Sequence, residues 1–372
     1  MIGMAKIELT ENEIEAALEV LKSGALRQGK HCDTFEQEFA EKVGAKYAVT
    51  SANGSAALHL FYMAELQADD EVLVPGYTFI ATATMPAYHG VVPKLVDVDP
   101  DTFLIDLKHA ETLITEKTKA ICPVHLFGNV CDVEAIEAFA QKHDLKILWD
   151  AAQCHGGLYK GQDVGCFSDA VSYSFYPSKN MFVGEGGITC TNDEDLAEKM
   201  RFMRSHGQTG KYYHTMLGLN YRMTDVEAAI GREQLKRLDD MLAVRHRNGQ
   251  MLKEALEPIP GISPQVTTPD TTHAYHLFCL RVNEDVFGCH RDQLVTAMNE
   301  RGVQTGIHYP RGLHKQPILQ EICGETDLPV CDLLSNEIMA IPVHHGLSEA
   351  DTLKIIDVIT ECQSLAPSLK AA

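Results

Sequence analysis

The feature that most constrains this chain is an alternation. Short apolar, β-prone runs at Lys46–Thr50, Glu71–Pro75, Lys94–Val98, Ala120–Val124, Lys146–Asp150, Ala170–Ser174 and Gly187–Thr191 are separated by stretches with helical patterning. Short apolar strands separated by helices pair in parallel across crossovers and are covered on both faces. The expectation is an α/β protein built on a mostly parallel seven-stranded sheet, preceded by an N-terminal helical segment. From Asp225 the text becomes rich in good helix formers, DVEAAIGREQLKRLDDMLAVRHRNGQMLKEAL, long enough to bridge two lobes. A strand at Tyr275–Val282, a helix at Arg291–Arg301, a strand at Val303–Tyr309 and a helix at Glu349–Leu365 then predict a smaller α+β unit. A boundary near residue 245 divides the 372 residues into a large α/β domain, 1–245, and a small C-terminal domain, 246–372.

Composition excludes several partners. The 52 acidic residues against 32 basic give a formal charge of −20, and there is no basic run or zinc-finger spacing with which to grip nucleic acid. No apolar stretch approaches the roughly 20 residues that span a bilayer, and the start, MIGMAKIELTENEIE, carries acids where a signal peptide has an apolar core. Eleven scattered cysteines with no C-x-x-C pair read as reduced thiols, so the expected location is the cytoplasm, without a metal site or redox centre. Cys154, although beside a motif described next, reads as a small core hydrophobe.

Four segments carry chemistry. In Ser174-Phe175-Tyr176-Pro177-Ser178-Lys179 a lysine lies just past a buried strand and ahead of a Gly-rich turn, Gly184–Gly187, where ligands of open α/β sheets collect; alone it reads as a solvated surface residue. In Asp150-Ala151-Ala152-Gln153-Cys154-His155-Gly156 an acid ends an apolar strand. It is either a helix N-cap or a carboxylate facing a cation such as the pyridinium of pyridoxal phosphate, which an adjacent acid keeps protonated. Ser51–Leu58 passes through Asn53-Gly54-Ser55 into a helix, a phosphate seat or ordinary capping. Pro75-Gly76-Tyr77-Thr78-Phe79 offers an aromatic face for a flat ring, or a core aromatic.

Together with Phe35-Glu36, Asp97-Val98-Asp99-Pro100, His206-Gly207, Gly218-Leu219-Asn220-Tyr221-Arg222-Met223 and His308-Tyr309-Pro310, these segments resemble, over almost the whole chain, the DegT/DnrJ/EryC1/StrS sugar aminotransferases. Those are pyridoxal phosphate enzymes of fold type I. The resemblance implies that Lys179 is the Schiff-base lysine, Asp150 the partner of the pyridine nitrogen, Gln153 a hydrogen-bond partner of the ring hydroxyl and Phe79 the residue stacked on the ring. It places the cofactor phosphate on Gly54, Ser55 and Ser174, with Asn220 reaching in from the other subunit of a homodimer. Tyr221, Arg222, His308 and Tyr309 match positions near the substrate. The implied reaction moves an amino group from L-glutamate, through pyridoxamine phosphate, to C3 or C4 of a nucleotide-linked keto-hexose, or to a keto-cyclitol in antibiotic biosynthesis. The product would be a precursor of a polysaccharide, glycan or natural product.

Since the net charge repels a nucleotide diphosphate, its attraction must be local, with Arg27, Lys30, Arg204, Arg222 and Arg311 as candidates. Three rival readings are weaker. The dehydratase branch of the family has His where Lys179 stands, a non-enzymatic regulator leaves the cofactor constellation unexplained, and a type I lyase or decarboxylase does not share the Asn220–Arg222 and His308–Pro310 segments.

Overall fold

The computed structural model describes residues 1–167 and 169–370. Two helices open the chain, α1 (Glu11–Ser23) and α2 (Lys30–Val43), each stopped by a glycine in the left-handed region, Gly24 and Gly44. The amides at the start of α2 are capped from far away in sequence. The Asp225 carboxylate accepts from Gly29 N (2.8 Å), His31 N (3.2 Å) and Cys32 N (3.0 Å).

The sheet strands are β1 (Tyr47–Ser51), β2 (Glu71–Pro75), β3 (Val92–Val96), β4 (Thr118–Ile121), β5 (Lys146–Asp150), β6 (Ala170–Ser174) and β7 (Gly187–Thr191). Their order is β1-β7-β6-β5-β4-β2-β3; β7 runs antiparallel to both neighbours and the other neighbouring pairs are parallel. The expected seven-stranded α/β sheet is thus present. Every residue of β6 and β7 is buried, as continuous apolar runs demand when helices cover both faces. Helix α3 (Gly54–Glu65) follows β1 and α4 (Ala81–Tyr88) follows β2.

The helical text after Asp225 forms two helices, α5 (Asp225–Lys236) and α6 (Leu238–Leu256), broken at Arg237. The Arg237 side chain is spent on α1 and its approach: Nε donates to Glu13 (2.7 Å) and Nη2 to the Glu8 carbonyl (3.3 Å).

Beyond α6, β8 (Ile262–Pro264), β9 (Phe278–Val282) and β10 (Ile338–Ile341) form an antiparallel sheet in that order. Helices α7 (Arg291–Glu300), α8 (Pro329–Glu337) and α9 (Glu349–Lys370) complete this part. The expected strand Val303–Tyr309 does not form. The slot beside β9 belongs to β10, so the segment makes one parallel bridge, Val303 to Ile2, and one antiparallel bridge, Gly306 to Ala340, then turns away.

A second hydrophobic cluster unites Leu252 and Leu256 of α6 with Phe278, Leu294, Met339 and Ile355, and also with Ile2 from the chain's beginning. On that basis we propose that the chain divides inside α6, near residue 245, with the first residues of the chain crossing to the smaller unit.

Candidate active site

A cavity of about 640 Å³ opens at the C-terminal ends of β5 and β6, where ligands of open α/β sheets bind. One wall comes from the large sheet: Asp150 and Gln153 after β5, Ser174 and Lys179 after β6, Gly54 and Ser55 at the start of α3, Thr78 and Phe79 after β2. The other wall comes from residues remote in sequence, His276, Leu277, His308 and Tyr309, with Met4 and Ala5.

Asp150 is buried, and no helix follows it, so it does not serve as a helix N-cap. Its Oδ1 accepts from Ala152 N (3.1 Å) and its Oδ2 from the Thr82 hydroxyl (2.8 Å). Among the described residues no arginine or lysine forms a salt bridge with it. Burial raises its carboxyl above the ordinary carboxylate range, against the pull of those two donors and of Lys179. A buried carboxylate with donors on both oxygens but no cation suits a protonated ring nitrogen.

Lys179 is half-buried beside it. Desolvation pushes its amine down to about 8, opposed by the Asp150 charge. The amine is therefore neutral in an appreciable fraction near neutral pH, as a nucleophile toward an aldehyde must be.

The phosphate seat is a matter of close approach. A Cβ at Gly54 would lie 2.6 Å from the Ser174 Cβ and one at Gly187 2.4 Å from the Asn53 carbonyl oxygen, so the first turn of α3 docks onto β6 and β7 only because both positions are glycine. Asn53 Oδ1 caps Ala56 N (2.9 Å). Gly54 and Ser55 then bring free first-turn amides to the cavity, with the Ser174 side chain beside them. There is no acid in that first turn to repel an anion. This cradle and the unpaired Asp150 fit pyridoxal phosphate.

The remaining predicted residues distribute unevenly. Phe79 is about half exposed, its ring 6.2 Å from that of Tyr309. Gln153 accepts from Phe127 N (2.7 Å) and donates to the Tyr309 hydroxyl (3.1 Å), leaving one amide hydrogen for a ligand. Tyr309 is also clamped by the Tyr77 hydroxyl, which donates to its carbonyl (2.9 Å) and accepts from its amide (2.6 Å). His308 lines the cavity with Nδ1 unpartnered among the described residues; burial and the Lys179 charge lower its pKa.

Asn220, Tyr221 and Arg222 do not line the cavity of their own chain. Asn220 is exposed, while the Tyr221 hydroxyl meets His59 Nδ1 at 3.0 Å and its backbone ties to Ala52 and Arg204. Among the cations offered for a diphosphate, Arg204 is unavailable. It is buried, paired with Glu36, and donates to the Thr50 carbonyl (2.7 Å) and hydroxyl (2.8 Å), which also explains Phe35-Glu36 as a structural motif. Arg27, Lys30 and Arg311 are exposed outside the cavity. Asp97 likewise serves structure, accepting from Val330 N and Cys331 N at the start of α8.

Sequence reasoning missed Thr82, His276, Met4 and Ala5. Thr82 had a weak signal, lying one helical turn from Thr78 in a stretch of small residues; His276 and Met4 had none, because only tertiary folding brings them in. No cluster of metal-ligating side chains occurs among the described residues.

A sheet of this order with its cavity at the strand ends is the fold of type I pyridoxal phosphate enzymes. A sequence model of the DegT/DnrJ/EryC1/StrS aminotransferase family matches residues 7–360, and the chain belongs to that family of pyridoxal phosphate-dependent transaminases. It is 35% identical to GDP-perosamine synthase of Caulobacter vibrioides, covering 97% of this chain and 98% of that one. It is 37% identical to the pleiotropic regulatory protein of Geobacillus stearothermophilus over 92% of each. Among solved structures, S. venezuelae DesV in complex with a ketimine intermediate superposes with a TM-score of 0.90 at 34% identity, over 94% of each chain.

Proposed function

We propose that the protein transfers the amino group of L-glutamate to C3 or C4 of a nucleotide-linked keto-hexose, in ping-pong order, as a step in amino-sugar and polysaccharide biosynthesis in the cytoplasm. The observation that carries this reading is the pairing of the Lys179 amine with the uncompensated, buried Asp150 carboxylate in one cavity. Amination of a keto-cyclitol is the alternative, and the same half-reaction with glutamate serves both.

When bound, pyridoxal phosphate supplies an aldehyde for the donor nitrogen and a ring that accepts the electron pair released at the donor's Cα. The chain's residues do the rest. Gly54, Ser55 and Ser174 hold the phosphate, joined by Asn220 of the partner subunit in a homodimer whose two active sites are shared. Asp150 holds the proton on the ring nitrogen; Thr82, through its bond to Oδ2, keeps that carboxylate in place. Phe79 covers one ring face, and Gln153 orients the ring through its free amide hydrogen. Lys179 Nζ would anchor the cofactor and, once displaced by the donor amine, would carry the proton from the donor's Cα to the cofactor's C4′. His308, Tyr309 and, from the partner subunit, Tyr221 and Arg222 hold substrate.

The test is a visible spectrum of the purified protein with pyridoxal phosphate, before and after L-glutamate, beside Lys179→Ala, followed by a panel of keto-sugars, keto-cyclitols and 2-oxo acids. A yellow band that bleaches with glutamate in the wild type alone, with the amine then passing to a keto-sugar, is the expected result. Passage only to 2-oxo acids would overturn the sugar assignment.

A further inference from the structure

We propose that His276 is a substrate-positioning residue whose imidazole hydrogen-bonds a hydroxyl of the hexose. This rests on the keto-sugar reading above.

The backbone around His276 is fixed from several directions. Ala274 N donates to the Gly128 carbonyl (2.8 Å), Asn180 Nδ2 to the Ala274 carbonyl (2.7 Å), and Leu277 N to the Phe127 carbonyl (3.2 Å). Arg245 Nη1 reaches from α6 to the carbonyls of Tyr275 (3.0 Å) and His276 (3.3 Å). Arg245 is buried and has no salt bridge among the described residues, so a cation has been taken out of water to hold this short segment. Gly128, at φ +100°, leaves no room for a side chain: its Cβ would sit 2.9 Å from Tyr275 N and 3.0 Å from His276 N. Asn180 adjoins Lys179, so the same clamp sets the His276 segment relative to the reacting amine.

The ring that this clamp presents is 6% exposed and lines the cavity, and its Nδ1 has no hydrogen-bond partner among the described residues. Nδ1 itself keeps no surface open to a ligand, but Nε2, equally without a hydrogen-bond partner among the described residues, does, and a polar atom left unpaired at a cavity wall calls for a partner that arrives with the ligand. Burial and the charges of Lys179 and Arg245 keep the ring neutral. A neutral imidazole gives one hydrogen bond and accepts one, as a hydroxyl requires, whereas a carboxylate is better served by a cation. No arginine among the described residues lines the cavity, and His308, also without a partner at Nδ1 among them, lines it as well. The wall therefore suits a polyhydroxylated ring.

The test titrates GDP-mannose, UDP-N-acetylglucosamine and dTDP-glucose by calorimetry into the pyridoxamine phosphate form of wild type, His276→Phe and His276→Gln. Stopped-flow bleaching by L-glutamate and melting temperatures are recorded on the same proteins. For the nucleotide hexose that wild type binds best, His276→Phe should lose at least tenfold in affinity beyond any loss in its glutamate rate, and His276→Gln should recover most of it. Equal affinity in His276→Phe and wild type would overturn the proposal, as would equal losses in affinity and glutamate rate, or a lowered melting temperature that His276→Gln shares. Binding of none of the three by wild type would remove the keto-sugar reading itself, and the role of His276 with it.

Discussion

At the scale of single residues, the two groups on which the proposed chemistry rests are both held away from their preferred charge states. Lys179 reacts with an aldehyde only as the neutral amine, and with its pKa near 8 about a tenth is neutral at pH 7. The rate at which cofactor-free enzyme captures pyridoxal phosphate should therefore rise with pH and reach half its plateau near 8, followed by stopped-flow absorbance; a rate still climbing through pH 10 would show an ordinary lysine. Asp150 is the converse, an acid whose burial favours the protonated form. Asp150→Asn relieves that cost, so the cofactor-free protein should melt about 1–3 °C higher, while transaminase turnover falls by at least a hundredfold. Calorimetry and the glutamate spectrum check the two halves separately. Both residues stand out in the sequence because one ends a short apolar strand, the other lies just past one, and each sits in a dense motif. Thr82 and His276 do not, since a hydroxyl in a helix and a histidine in a loop acquire meaning only from what folds against them.

At the scale of elements, strands buried on both faces declared themselves. β2, β5, β6 and β7 occur where continuous apolar runs between turn residues put them. Ile338–Ile341 went unread because it follows α8 without a break, and Val303–Tyr309 has strand-like residues but no continuous partner. Long-range caps are equally hidden: Asp225 reads as the start of its own helix, yet its carboxylate caps α2. Asp225→Ala should cost about 1–3 kcal/mol in urea unfolding by orphaning those amides. Gly54→Val forces α3 away from Ser174 and should weaken pyridoxal 5′-phosphate binding more than tenfold while leaving the binding of pyridoxal, which has no phosphate, much less affected; equilibrium titration of both ligands checks this.

At the scale of the whole molecule, the proposed homodimer rests on the resemblance that puts Asn220 in the partner's site; in its own chain Asn220 is exposed and outside the cavity. Light scattering should give twice the 41.1 kDa chain mass. Lys179→Ala and Asn220→Ala, each with low activity, should together regain about a quarter of the wild-type value when subunits are exchanged, since a mixed dimer holds one intact site; no recovery would place Asn220 outside the partner's site. The proposed meeting of two copies comes from resemblance alone, because a surface residue reveals no partner by its type. The cavity walls carry a different consequence, one of timing. Its lining runs from Met4 to Tyr309, so a chain emerging from the ribosome presents Lys179 and Asp150 well before the facing wall exists. The enclosure that lowers the Lys179 pKa is complete only once the chain through Tyr309 has been made, and a truncated translation product carries the lysine without the desolvation that makes it reactive.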